Sequence, residues 1–181
     1  MKIKLILITI TLLLPNLCRA YVNQTDTTSV EHSELGTIDQ GFKCMFDGSI
    51  GAILSGGTVL SAGAIFGSQE YPTAFYGFGF EIAKYYNEIT IQAPVFVYIR
   101  YNTTGTKNNF FADIKGGYTL NAGVFINPSI GIRIGNHKSG WILGIGYRKQ
   151  AGMKGQDLSY SYSMSYPITV QSIDIKIGYE F

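Results

Sequence analysis

Apolar and polar residues alternate with a period of two along most of this chain, from Ile38 to the last residue. The final segment is the clearest. Ile173, Ile175, Ile177, Tyr179 and Phe181 fall on one face, and Asp174, Lys176, Gly178 and Glu180 fall between them. Such alternation predicts a strand with one apolar and one polar face. Eight strands are predicted in this way. The first covers 38–47, with Phe42, Cys44 and Phe46 together; the second, 57–67, has Leu60, Ala62, Ala64 and Phe66. The third, 74–85, has Tyr76, Phe78, Phe80 and Ile82, and the fourth, 89–102, alternates without a break from Ile89 to Tyr101. The fifth (109–120), sixth (123–135) and seventh (140–149) carry Phe110 and Ile114, Ile126 and Ile130, and Trp141 and Ile145 on their apolar faces. The eighth is the terminal segment. Ser55-Gly56-Gly57, Tyr71-Pro72, Asn121-Ala122-Gly123 and the stretches 102–109 and 136–140 supply turns. The longest connection, 150–167, is rich in Ser and Tyr.

A two-faced strand on which a chain ends is the mark of a β-barrel with lipid outside and lumen inside. The fold class predicted is all-β, an eight-stranded antiparallel up-and-down transmembrane β-barrel. Membrane strands need roughly 9–11 residues each, and bacterial single-chain barrels have even strand numbers. Eight strands leave about eight residues per connection; ten would leave about four, too few beside 150–167.

The chain's start departs from this pattern. Lys2 and Lys4 precede the apolar run Leu5 to Leu14, which Pro15 and Asn16 end, and Cys18-Arg19-Ala20 resembles a cleavage site. These features predict a signal peptide over 1–20, too short to span a membrane comfortably. Acylation at Cys18 is the rival, although Pro15-Asn16-Leu17 is a poor lipobox. Residues 21–37 are polar and aperiodic, and read as a flexible periplasmic tail before a barrel over 38–181.

Composition narrows the function classes. Losing Lys2, Lys4 and Arg19 from 14 basic residues leaves 11 against 12 acidic ones, so the mature chain is near neutral and offers nothing to nucleic acid. Cys44 is then the sole cysteine, reading as a small hydrophobe without an intrachain disulfide. The 22 glycines, with 13 Tyr and 11 Phe, fit short strands with rings at membrane interfaces.

The polar faces carry candidate chemistry. They hold the acids Asp39, Asp47, Glu81, Asp113, Asp174 and Glu180, and the bases Lys43, Arg100, Lys115, Arg133, Arg148 and Lys176. Arg or Lys facing mid-bilayer lipid costs roughly 2–4 kcal/mol, so these groups are predicted to face the lumen. Opposite signs can pair there, with about half of the set near strand ends and hydrated. Lys84 and Lys149 fall on apolar faces, at strand ends, where lysine can snorkel to water. The lumen positions mix Met45, Phe96, Tyr98, Phe111 and Phe125 with Gly77, Gly79, Gly117, Gly131, Gly144 and Gly146, a blend that fills a narrow barrel. A plugging network of Arg100, Arg133, Arg148, Asp113 and Glu81 is expected.

The stretches 93–102 (Ala-Pro-Val-Phe-Val-Tyr-Ile-Arg-Tyr-Asn), 111–118 (Phe-Ala-Asp-Ile-Lys-Gly-Gly-Tyr), 125–133 (Phe-Ile-Asn-Pro-Ser-Ile-Gly-Ile-Arg) and 175–181 (Ile-Lys-Ile-Gly-Tyr-Glu-Phe) resemble the small Gram-negative outer-membrane β-barrel proteins, OmpA/OmpX-like, over roughly 41–181. The resemblance implies residence in the cell outer membrane with both termini periplasmic. It also implies that the barrel-assembly machinery reads Tyr179 and Phe181 during insertion. A structural or surface-interaction role is the first reading, with the Ser- and Tyr-rich 150–167, extracellular in this orientation, as the contact surface for a surface ligand or membrane-protein partner. The alternatives are an accessory subunit of a larger outer-membrane transport or secretion complex, and a porin-like small-solute channel.

No enzyme is predicted. The two histidines, His32 and His137, lie in the tail and in a turn, so no nucleophile–base pair with histidine is evident. No spacing calls for a metal or cofactor. Asp26-Thr27-Thr28 resembles a bacterial O-glycosylation acceptor, with Thr27 as the modified residue.

Overall fold

The computed structural model describes residues 38–86, 91–104, 108–119, 122–155 and 166–181, with backbone only in 153–155 and 166–168. The expected leader and the whole tail, Thr27 included, lie outside the described residues. The strands are β1 (Gly41–Ile53), β2 (Thr58–Tyr71), β3 (Ala74–Tyr85), β4 (Ile91–Gln92), β5 (Pro94–Asn102), β6 (Asn109–Thr119), β7 (Gly123–Gly135), β8 (Gly140–Gly155) and β9 (Tyr166–Glu180). β4 and β5 are two parts of one barrel strand, interrupted at Ala93, and both pair with β3. All neighbours are antiparallel, and β9 returns to pair with β1. The result is a closed eight-strand antiparallel barrel.

Register fixes its shape. A row of directly paired residues runs Lys84, Leu60, Ile50, Ile175, Ile145, Ile130, Ala112, Tyr101 and back to β3 at Ala74. The row returns ten residues away from its start, which is the shear of the barrel. With ~3.3 Å per residue and ~4.8 Å between strands, this shear tilts the strands by about 40° and gives a radius of about 8 Å. Each residue then advances about 2.5 Å along the axis.

The alternation sorts side chains as expected. One set faces outward and is apolar, with Phe110, Ile130, Ile175, Val95 and Phe78 each more than half exposed. The other set faces in and is buried. At the end that holds Phe181, rings gather on the outer face. Trp141 lies 5.0 Å from Tyr179, Tyr179 lies 6.0 Å from Phe181, and Phe181 lies 5.7 Å from Phe46. Phe181 exchanges two backbone hydrogen bonds with Cys44, at 2.8 and 2.9 Å, and so extends the β1–β9 ladder to the last residue.

Several boundaries differ from the sequence reading. β1 runs on to Ile53, so the connection expected over 48–57 shrinks to the turn 54–57, which Gly56 and Gly57 make with positive φ. Gly51 disguises this extension. A Cβ there would collide with Asp174 and Val59, so glycine stands where alternation would show a side chain. β8 and β9 reach Gly155 and Tyr166, so 150–155 and 166–167 belong to strands. The register shifts between Gln150 and Met153, where Gly152 takes φ +84. Asp39 lies ahead of β1 and is half-buried, its amide donating to His137 O (3.1 Å). Cys44 is buried in β1. Cys18, the other cysteine, lies outside the described residues.

Candidate functional site

Among the described residues the inward set contains eleven charged side chains. They are Lys43, Asp47, Glu81, Arg100, Asp113, Lys115, Arg133, Arg148, Asp174, Lys176 and Glu180, none more than 8% exposed. Six are bases and five are acids. Charges buried this deeply need partners, because an isolated one costs several kcal/mol of desolvation. The strands bring them together in three groups.

The group nearest the termini centres on Glu180. Arg100 Nη2 donates to its Oε2, Arg133 donates to its Oε1 from Nε (3.2 Å) and Nη2 (3.1 Å), and Lys43 Nζ lies 3.5 Å away. Lys43 also donates to Lys138 O at 3.2 Å, in the turn at 136–139. The second group centres on Asp113, which accepts from Lys176, Ser129 and Tyr98 (2.6 Å for the phenol). The third is a chain: Asp47 to Lys115 (2.6 Å), Lys115 to Glu81 (3.1 Å), Glu81 to Arg148 (2.6 Å), Arg148 to Asp174 (3.1 Å). Asn127 and Ser172 donate to Asp174 at 3.2 and 2.6 Å.

Topology gives these pairs a geometry that no single strand contains. Arg100 on β5 and Glu180 on β9 lie four strands apart round an eight-strand barrel, and so face each other across the lumen. Lys115 on β6 and Asp47 on β1 are likewise opposite, as are Arg148 on β8 and Glu81 on β3. Three ion pairs therefore cross the lumen as spokes. At about 2.5 Å of axis per residue, they stand at three levels about 7 Å apart. Aromatic rings fill the space beside them. Arg100 lies over Phe75 at 5.2 Å, Lys115 over Phe96 at 4.9 Å, Arg148 over Phe125 at 5.8 Å and Lys176 over Phe111 at 5.4 Å.

The architecture is shared with solved structures of transmembrane barrels. Neisserial surface protein A (NspA) aligns at a TM-score of 0.54 and 9% identity, over 78% of this chain and 95% of its own. A transmembrane β-barrel designed de novo aligns at 0.47 and 13% identity, over 80% of this chain and 99% of the design. At such identities the likeness concerns fold alone. No protein-family profile and no curated protein matches the chain.

Every charged position singled out in the sequence can now be placed. Lys43, Asp47, Glu81, Arg100, Asp113, Lys115, Arg133, Arg148, Asp174, Lys176 and Glu180 are buried and partnered, and Asp39 stands outside the barrel wall's strands. The expectation that about half of the twelve would be hydrated does not hold for these eleven. The five residues expected to form one plug divide among the three groups. Tyr179 and Phe181 sit in the aromatic cluster at the terminal end. His137 lies in the 136–139 turn, where Asn136 Oδ1 accepts from Lys138 N (3.0 Å) and Ser139 N (2.7 Å).

One constellation escaped the sequence. Ser129 Oγ and Lys176 Nζ are 2.7 Å apart, a nucleophile–base distance, and Asp113 bonds to both. Period-two parity puts both residues inward, but only the fold makes them neighbours. Both are nearly inaccessible, at 6% and 3% exposure, and both are held by the same carboxylate. Among the described residues no three of His, Cys, Asp and Glu converge as a metal site.

Proposed function

We propose that this chain is an integral outer-membrane β-barrel protein with a lumen filled by its own side chains, in a structural or surface-interaction role. One observation carries the reading: eleven charges are buried inside a closed barrel whose outer face is apolar. In water this arrangement is inverted, since the exposed apolar surface far exceeds the few hundred Å² that soluble monomers tolerate. In a bilayer it is the expected one, with lipid outside and paired charges within.

The spokes and rings favour a filled lumen over a pore, because an eight-strand barrel of about 8 Å radius holds little beyond side chains. The enclosure of Ser129 and Lys176 favours a packing role for them over catalysis. Both termini are assigned to the periplasm. Phe181 and Tyr179 are proposed as the signal read by the barrel-assembly machinery, supported by Phe181 completing the β1–β9 ladder. A surface partner would meet the β8–β9 hairpin at the opposite end.

Cell fractionation with a heat-modifiability gel tests the reading. The protein is expected in the outer membrane, with an unboiled form that migrates faster than the boiled one. A soluble protein without a mobility shift would end it.

A further inference from the structure

The outer face carries three charged side chains among the described strand residues: Glu70 on β2, Lys84 on β3 and Lys149 on β8. All three are exposed. Their positions along the axis follow from the register. Leu60 pairs with Lys84, and Glu70 lies ten residues beyond Leu60 towards the terminal end. The acidic edge therefore stands about 25–28 Å from the level of Lys84, close to the height of a membrane barrel's apolar band. The row through Lys84 descends about 3 Å per strand, or about 12 Å, to reach Ile145 on β8. Lys149 lies four residues, about 10 Å, back up that strand. The two lysines thus share one level, on opposite flanks of the barrel, at the end away from the termini.

Their settings are alike. Lys84 Nζ lies 5.1 Å from the ring centre of Tyr86. Lys149 pairs with Gln171, whose Oε1 accepts from Tyr147 OH at 2.6 Å. β8 continues to Gly155, so Lys149 lies within its strand and is exposed on the outer face. Each lysine has a tyrosine nearby, as at the boundary between acyl chains and headgroups.

We infer that Lys84 and Lys149 are two separate binding positions for the phosphate of anionic lipid headgroups, in the leaflet at the end opposite the termini. The inference rests on the membrane-spanning reading above. Charge complementarity selects the occupant: a basic side chain near a membrane surface favours anionic lipid about fivefold. Glu70 at the other edge repels it.

Native mass spectrometry of barrel released from mixed phosphatidylglycerol and phosphatidylcholine micelles tests this directly. The wild type is expected to retain two phosphatidylglycerols above the phosphatidylcholine background. Lys84→Gln and Lys149→Gln should each retain one, the double variant none, and Glu70→Gln should retain two. Inorganic phosphate at the same concentration should not displace the lipid. Equal retention by wild type and double variant, or displacement by inorganic phosphate, would overturn the assignment. Heat modifiability of each variant in phosphatidylcholine alone separates this from failure of the barrel itself. An unshifted wild type would sink the membrane reading, whereas shifted variants with unchanged lipid retention would sink only the lysine sites.

Discussion

At the scale of single residues, Glu180 gathers three of the six buried cations among the described residues. Lys43, Arg100 and Arg133 converge on its carboxylate. Glu180→Gln leaves three buried cations facing a neutral amide. Stranding a buried charge costs about 3–5 kcal/mol, so the variant is expected to unfold at clearly lower urea, measured in micelles. An opposite pair behaves differently when both partners go. Glu81→Met alone removes a carboxylate shared by Lys115 and Arg148, whereas Glu81→Met with Arg148→Met removes the second charge as well. The double variant is expected to be more stable than the single one in the same titration, and the reverse order would argue against a desolvation-limited network. Glycine is needed for a different reason at Gly79. A Cβ there would come within 2.7 Å of the Phe96 ring and 2.5 Å of Ala64 O. Gly79→Ala is expected to cost about 1–3 kcal/mol through overpacking, read from the same urea midpoint.

At the scale of elements, the strand formed by β4 and β5 is the one that breaks. Proline has no N–H to give to a ladder, and Pro94 opens β5 next to the gap at Ala93. The pairing with β3 resumes in the same register beyond it, from Phe80↔Val95 to Ala83↔Gln92. The break is therefore local, and the amide of Ala93 is expected to exchange with solvent faster than those of Val97 and Ile99; equal protection would show that the gap is closed by other partners. This element also marks what sequence could and could not convey. Period two placed the inner and outer faces of all eight barrel strands, because lipid and lumen impose opposite demands on alternate residues. It read Ile89 to Tyr101 as unbroken, because Ala93 and Pro94 keep the parity while interrupting the hydrogen bonds. It ended β1 early, because Gly48 and Gly51 carry no side chain to show the alternation. Parity also put each charge inside without revealing its partner. That Arg100 meets Glu180, and Arg148 meets Glu81, depends on strand number and shear, which only the closed sheet supplies.

At the scale of the whole molecule, the proposed filled lumen rests on how closure arranges the buried charges. Pairs between adjacent strands would line a wall and leave the axis open. Arg100–Glu180, Lys115–Asp47 and Arg148–Glu81 instead join opposite strands, at three levels in series. On that reading each spoke, with its stacked ring, obstructs a lumen of about 8 Å radius measured to the backbone. Planar-bilayer recording of the purified wild type is therefore expected to show no stable, large conductance. Series geometry makes a second demand. Replacing one opposite pair by alanines, for instance Arg100→Ala with Glu180→Ala, leaves the other two levels in place, so that variant is expected to stay closed as well. Conductance should emerge only when all three pairs are replaced, in protein that retains its heat-modifiable fold. A large conductance in the wild type would refute the filled lumen. A large conductance after loss of one pair alone would confine the barrier to that level, and the other two spokes would then serve the stability of the wall.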